Sequence, residues 1–182
     1  MTNRLKTFIS RNRIIISILV VPPFFLLATP TILSLPIGLA IVLFGGAIRI
    51  YASGYINKNE DIAMEGAYSL TRNPLYLGNF FLGLGFSIAS GQPLILIIFI
   101  PLFFIIYNAT IEQEEGYLLE RFGEAYAKYR ASTPRFFPKL NSLKNKGSRP
   151  FSWHLVKKHR EYNTWLGTIL GVLLLLLKMY LQ

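Results

Sequence analysis

Five stretches of the 182-residue chain are almost wholly apolar, at about 14–33, 36–55, 75–91, 93–109 and 162–181, with polar segments between them. Crossing the hydrocarbon of a bilayer takes roughly 20 such residues in a helix, so each stretch reads as a transmembrane helix or nearly one. The third and fourth are short and are separated only by Gly91-Gln92. They predict a helical hairpin that does not reach fully across. Pro22-Pro23 should kink the first span, with neighbouring helices re-satisfying the freed backbone groups. The pattern predicts an all-α integral membrane protein of about five transmembrane helices. Three segments follow: a core over 1–140 with its polar motifs in 54–140, a basic linker and interfacial helix over 141–161, and a last span over 162–182.

Composition supports this reading. Hydrophobic residues make up 52% of the chain and charged residues only 15%, too few to solvate the apolar runs. The net charge of +10 could signal nucleic acid, but membrane orientation explains it more simply. Arg4, Lys6, Arg11 and Arg13 precede the first span, Lys58 and Arg72 lie between the second and third, and a dense basic set runs from Arg121 to Arg160. The opposite loops, Thr31 to Leu35 and Ser90 to Pro93, carry no basic residue. The positive-inside rule therefore places the amino terminus and both polar motif regions in the cytosol, with the carboxyl terminus outside. Lys178 near that terminus can snorkel to the interface. A basic region before an apolar one also resembles a signal peptide, but the proline pair and the second span at once after it favour an uncleaved helix.

Asn141 to Pro150 reads as a basic linker, and Phe151 to Arg160 mixes aromatic and basic residues. That mixture suits a short helix on an anionic leaflet, and equally the basic flank of the last span. Gly167 and Gly171, four apart, are compatible with close helix packing.

Two polar motifs bracket the predicted hairpin. One runs from Gly66 to Gly78, with Tyr68, Arg72-Asn73-Pro74 and Tyr76 inside it. The other is Glu112-Gln113-Glu114-Glu115, followed by Phe122-Gly123-Glu124-Ala125-Tyr126 and Tyr129-Arg130. Folding the hairpin brings them together at one membrane face. Each has a bland explanation. Arg72-Asn73-Pro74 suits a helix start, with a snorkelling Arg, an Asn cap and Pro at the first helical position. The glutamates suit a solvated helix face, where Glu112 and Glu115 share a side and Glu114 points elsewhere. Their juxtaposition argues for a site. The chain has no cysteine and only His154 and His159, so neither a thiol nucleophile nor a metal centre is expected. No Gly-rich loop is followed by Lys and Ser or Thr, so a P-loop is absent. Carboxylates and tyrosine faces suit a cationic, ribose-bearing cofactor such as S-adenosylmethionine.

Residues 54–140 resemble the integral-membrane methyltransferases of the isoprenylcysteine carboxyl methyltransferase and phospholipid methyltransferase superfamily, in particular its small prokaryotic members. The resembling pattern is Gly-x-Tyr at 66–68, Arg-Asn-Pro-x-Tyr-x-Gly at 72–78, Glu114-Glu115, and Phe-Gly-x-x-Tyr-x-x-Tyr at 122–129. The resemblance implies methyl transfer from S-adenosylmethionine to a lipid-like or prenylated acceptor at the cytosolic face of a prokaryotic inner membrane. It implies a cofactor pocket lined by Glu60, Asp61, Ile62, Ala63, Tyr68, Asn73, Pro74, Leu75, Tyr76 and Glu114. Arg72 and Glu115 are the catalytic candidates, Glu115 as a base should the acceptor be an amine. The chain departs from the pattern at Ala67, where Pro is frequent, at Asn73, where His is frequent, and at Thr110, where the prenylcysteine enzymes carry an Arg suited to a substrate carboxylate. Two other functions fit a membrane chain of this kind: an NADPH-dependent reductase of the sterol type, and a non-catalytic scaffold.

Overall fold

A computed structural model describes residues 12, 19–57, 61–139 and 149–182. Every regular element among them is helical. Residues 19–27 form the described part of α1, which contains both Pro22 and Pro23. Then come α2 (Ser34–Ser53), α3 (Ala67–Leu70), α4 (Pro74–Ala89), α5 (Pro93–Ser132), α6 (Trp153–Lys158) and α7 (Glu161–Leu181). Helices α2, α5 and α7 are long and apolar enough to cross a membrane. With 16 residues, α4 is about 24 Å long at 1.5 Å per residue, short of the roughly 30 Å hydrocarbon layer. The chain is an all-α integral membrane protein. Residues 14–18 of the first predicted span and most of the 141–150 linker lie outside the described residues.

The boundaries follow local chemistry. At the start of α2, Thr31 and Ser34 cap one another, each backbone N–H donating to the other's hydroxyl at 2.9 and 3.0 Å. The α4–α5 hairpin turns at Gly91, whose φ of +68° suits glycine, and Pro93 opens the next helix. Thr29 N donates to Ser90 O at 2.7 Å, which ties the α1–α2 connection to the hairpin tip.

The tightest packing is between α2 and α4, which are antiparallel. Glycines at heptad spacing line it: Gly38 and Gly45 on α2, Gly78 and Gly85 on α4. A Cβ on Gly38 would lie 2.4 Å from Ala89 N, and one on Gly85 would lie 2.7 Å from Val42 N. Backbone contact this close is how helices associate where lipid removes the hydrophobic drive. Gly78 therefore serves the helix seam, its absent Cβ lying 2.5 Å from Arg49 Cγ. At α7, Gly171 receives the ring of Phe86, while a Cβ on Gly167 would meet no other segment within 4 Å among the described residues.

The sequence pattern and the structure differ most at α5. The predicted span ends at 109, but the helix continues to Ser132 and bends only at Gly123, where φ is +54°. The polar residues after 109 keep helical periodicity, so nothing local stops the helix until that glycine. The 151–160 segment does contain a short helix, α6, with Trp153 exposed. Arg160 then takes a left-handed φ of +54° and turns the chain into α7.

Candidate functional site

The carboxyl end of α2, the amino end of α4, the middle of α5 and the start of α7 meet at one end of the bundle. They enclose a cavity of about 570 Å³. Both polar motifs reach it, because the hairpin folds them onto one face.

The first motif holds its position through backbone ties. Arg72 N donates to Pro134 O at 2.9 Å and Lys139 N donates to Leu70 O at 3.0 Å, so the 134–139 segment lies alongside the entrance to α4. Pro74 opens α4 as the sequence predicts, but Asn73 does not cap it. Its amide instead donates to Arg135 O at 2.9 Å and to Glu115 Oε1 at 3.4 Å. Nor does Arg72 snorkel. Its side chain is 8% exposed, and its Nη2 lies 3.2 Å from Glu115 Oε1. Nη1 of Arg72 donates to Arg130 O at 3.0 Å.

Glu115 sits at the centre of this knot, with Arg135 Nε at 3.7 Å from its other oxygen. Its neighbour Glu114 is exposed at the cavity rim and accepts from Tyr76 Oη at 2.6 Å. In the middle of α5, Glu114, Tyr117 and Leu118 line the cavity as an i, i+3, i+4 stripe with Glu115 beside them, and Tyr107 lines it from earlier on the same helix. Glu112, expected to share a side with Glu115, is exposed and is not among the lining residues.

Past the Gly123 bend, Tyr126 and Tyr129 turn back under the cavity, and Tyr129 Oη donates to Tyr68 O at 2.7 Å. All three tyrosines lie outside the apolar runs, Tyr126 and Tyr129 on the polar end of α5. Burial pushes Tyr126 up to about 12, and raises Tyr129 and Tyr68 as well, so their hydroxyls stay protonated donors. Tyr68 Oη is buried without a hydrogen-bond partner among the described residues. A buried hydroxyl left this way costs free energy unless a ligand or water completes it.

Asp61, Ile62, Ala63, Tyr68, Arg72, Asn73, Pro74, Leu75, Tyr76, Glu114 and Glu115 all line the cavity. Glu60 lies outside the described residues. Thr110 is buried and bonds its own helix through Ile106 O at 3.0 Å, away from the cavity. Sequence reasoning missed Arg49, Asn79, Tyr107, His159 and Glu161, which also line it. A lone arginine within the predicted second span was the available signal, since charge in a membrane helix is costly and usually functional.

A profile of the family described as phospholipid methyltransferase matches residues 24–125, more than half of the chain. The cobalt-zinc-cadmium resistance protein CzcN of Cupriavidus metallidurans is 32% identical over 111 residues, 60% of this chain and 51% of that protein. Protein-S-isoprenylcysteine O-methyltransferase of Xenopus laevis is 31% identical over 120 residues, 59% of this chain and 42% of that protein. The Schizosaccharomyces pombe protein of the same name is 28% identical over 99 residues, 54% and 42% of the two chains. These matches span about half the length of the relatives, or less. No solved structure matches the chain.

Proposed function

The chain belongs to the phospholipid methyltransferase family, and from that premise we propose that it transfers a methyl group from S-adenosylmethionine to a lipid-like or prenylated acceptor. The observation that carries this reading is the cavity at the end of the hairpin, where eleven of the twelve candidate site residues named from sequence converge. Its volume suits a small organic ligand. The donor set suits this cofactor too: Tyr68 Oη lacks a partner among the described residues, Glu114 and Asp61 bring carboxylates, and Tyr76 and Tyr107 bring aromatic faces. S-adenosylmethionine, when bound, supplies a methyl carbon already activated by its sulfonium.

The chain's own part is to bind, orient and exclude water. Asp61, Ile62, Ala63, Tyr68, Asn73, Pro74, Leu75, Tyr76 and Glu114 form the cofactor side, with Glu60 beside them in sequence. Arg72 orients the acceptor side. Arg72, Asn73 and Arg135 surround the oxygens of Glu115. Its role in this reading is to fix Arg72. The acceptor approaches from the bilayer, and the cavity opens at the cytosolic face, as the basic flanks require.

Calorimetric titration of the detergent-purified protein with S-adenosylhomocysteine, alongside NADPH, tests the reading. Saturable binding of the homocysteine compound alone supports methyl transfer. Binding of NADPH alone would replace it with a reductase.

A further inference from the structure

Four cavity-lining residues come from beyond residue 125, where the family match ends, and two of them, His159 and Glu161, come from the segment around the start of α7. Glu161 is the first residue of α7, placed by the left-handed turn at Arg160. Its carboxylate receives the fork of Arg49, with Nη2 at 2.8 and 2.9 Å and Nε at 3.1 Å. Thr164 Oγ1 accepts from Nη2 at 3.2 Å, and Asn79 Oδ1 accepts from Nη1 at 2.5 Å. The two side chains are only 14% and 5% exposed. The geometry of such a fork is directional, which fixes both charges relative to the cavity.

Neither group is saturated. A guanidinium has five N–H donors, and these contacts engage the one on Nε, both on Nη2 and one on Nη1. The second N–H of Nη1 has no partner among the described residues. A carboxylate has about four acceptor positions, and those of Glu161 receive three contacts, all from Arg49. The cavity wall thus presents a positive and a negative group side by side, each with capacity left. A lone carboxylate meets repulsion from Glu161, and a lone ammonium meets repulsion from Arg49. A group carrying both charges on one carbon meets neither.

We propose that Arg49 and Glu161 form a subsite for an α-amino-carboxylate zwitterion, completed by α7. This deepens the methyl-transfer reading and rests on it. The zwitterion is either the amino-acid end of the methyl donor or a serine head group on the lipid. The subsite adjoins the other candidates: Asn79 Nδ2 donates to Tyr107 Oη at 3.5 Å, and the Tyr107 ring lies 5.0 Å from that of Tyr76, which holds Glu114.

The test compares S-adenosylhomocysteine with 5′-methylthioadenosine, which keeps the nucleoside and sulfur but lacks the amino-acid end, on the full chain in detergent. Wild type is expected to prefer the former at least about tenfold, since hydrogen bonds to charged groups are the strong ones. Glu161→Gln and Arg49→Lys are expected to erase that preference and leave methylthioadenosine affinity unchanged, which also shows that the variants fold. Equal losses for both ligands would make the pair merely structural and overturn the proposal. Decarboxylated S-adenosylhomocysteine on wild type gives a second measurement that needs no variant, and undiminished affinity for it would also overturn the donor assignment. In mixed micelles, a preference for phosphatidylserine over phosphatidylethanolamine that Glu161→Gln removes would assign the subsite to the lipid. If neither that preference nor the nucleoside difference exists, the proposal fails. If wild type binds neither nucleoside, the methyl-transfer reading fails first, and that outcome is distinct from binding both equally.

Discussion

Replacing Glu115 by Gln should unfold the protein more readily rather than only slow it. The carboxylate is 7% exposed and faces Arg72 at 3.2 Å, itself 8% exposed, and Arg135 at 3.7 Å. Gln keeps the shape and one acceptor oxygen, but it leaves the Arg72 guanidinium buried without its counter-charge. Breaking a buried pair by removing one partner costs about 3–5 kcal/mol, and the retained oxygen argues for the lower end, about 3 kcal/mol. For a chain of this size each kcal/mol moves Tm by about 2–4 °C, so the expected fall is about 6–12 °C. Thermal unfolding in detergent micelles, followed through the fluorescence of Trp153 and Trp165, measures it. Removing both charges with Arg72→Met and Glu115→Leu should cost less than the sum of the two single changes, because no unpaired charge remains. A Glu115→Gln protein that melts within about 2 °C of wild type, where even 1 kcal/mol is expected to show, would refute the reasoning. Lost turnover at unchanged stability would return Glu115 to the role of a base.

Glu114→Gln, at the exposed rim, should leave Tm close to wild type and abolish S-adenosylhomocysteine binding; unchanged calorimetric affinity would remove Glu114 from the site. Gly85→Leu should separate α2 from α4, because its Cβ alone would lie 2.7 Å from Gly38 O and Val42 N, and size-exclusion chromatography should show aggregation or a strongly lowered Tm. Tyr126 titrates near 12 in the folded protein against about 10 unfolded, so its protonated form is favoured by folding. That contribution is complete below pH 10 and is lost as pH rises from about 10 to 12, and Tyr126→Phe should flatten the fall in Tm across that window.

Sequence alone determined the membrane class, the hairpin and the pairing of its two polar motifs. Those features rest on local quantities: the length of apolar runs, the Gly91 turn and the positions of Pro74 and Pro93. The resemblance over 54–140 also named half of the residues that line the cavity, because a hairpin of fixed length leaves its ends little freedom. The tertiary structure decided what these residues do to one another. Asn73 and Arg72 sit where a helix start would place them, yet both turn to Glu115, since the 134–139 segment brings Arg135 and Pro134 against them. No spacing in the sequence links residue 72 to residue 135. Gly78, the last residue of the first motif, makes room for Arg49 and for the α2 backbone. Arg49 and Glu161 are 112 positions apart, and only the placement of α7 beside α2 makes them a pair. Local pattern fixes elements and their ends; the partners of a buried charge are chosen by whichever distant segment can neutralise it.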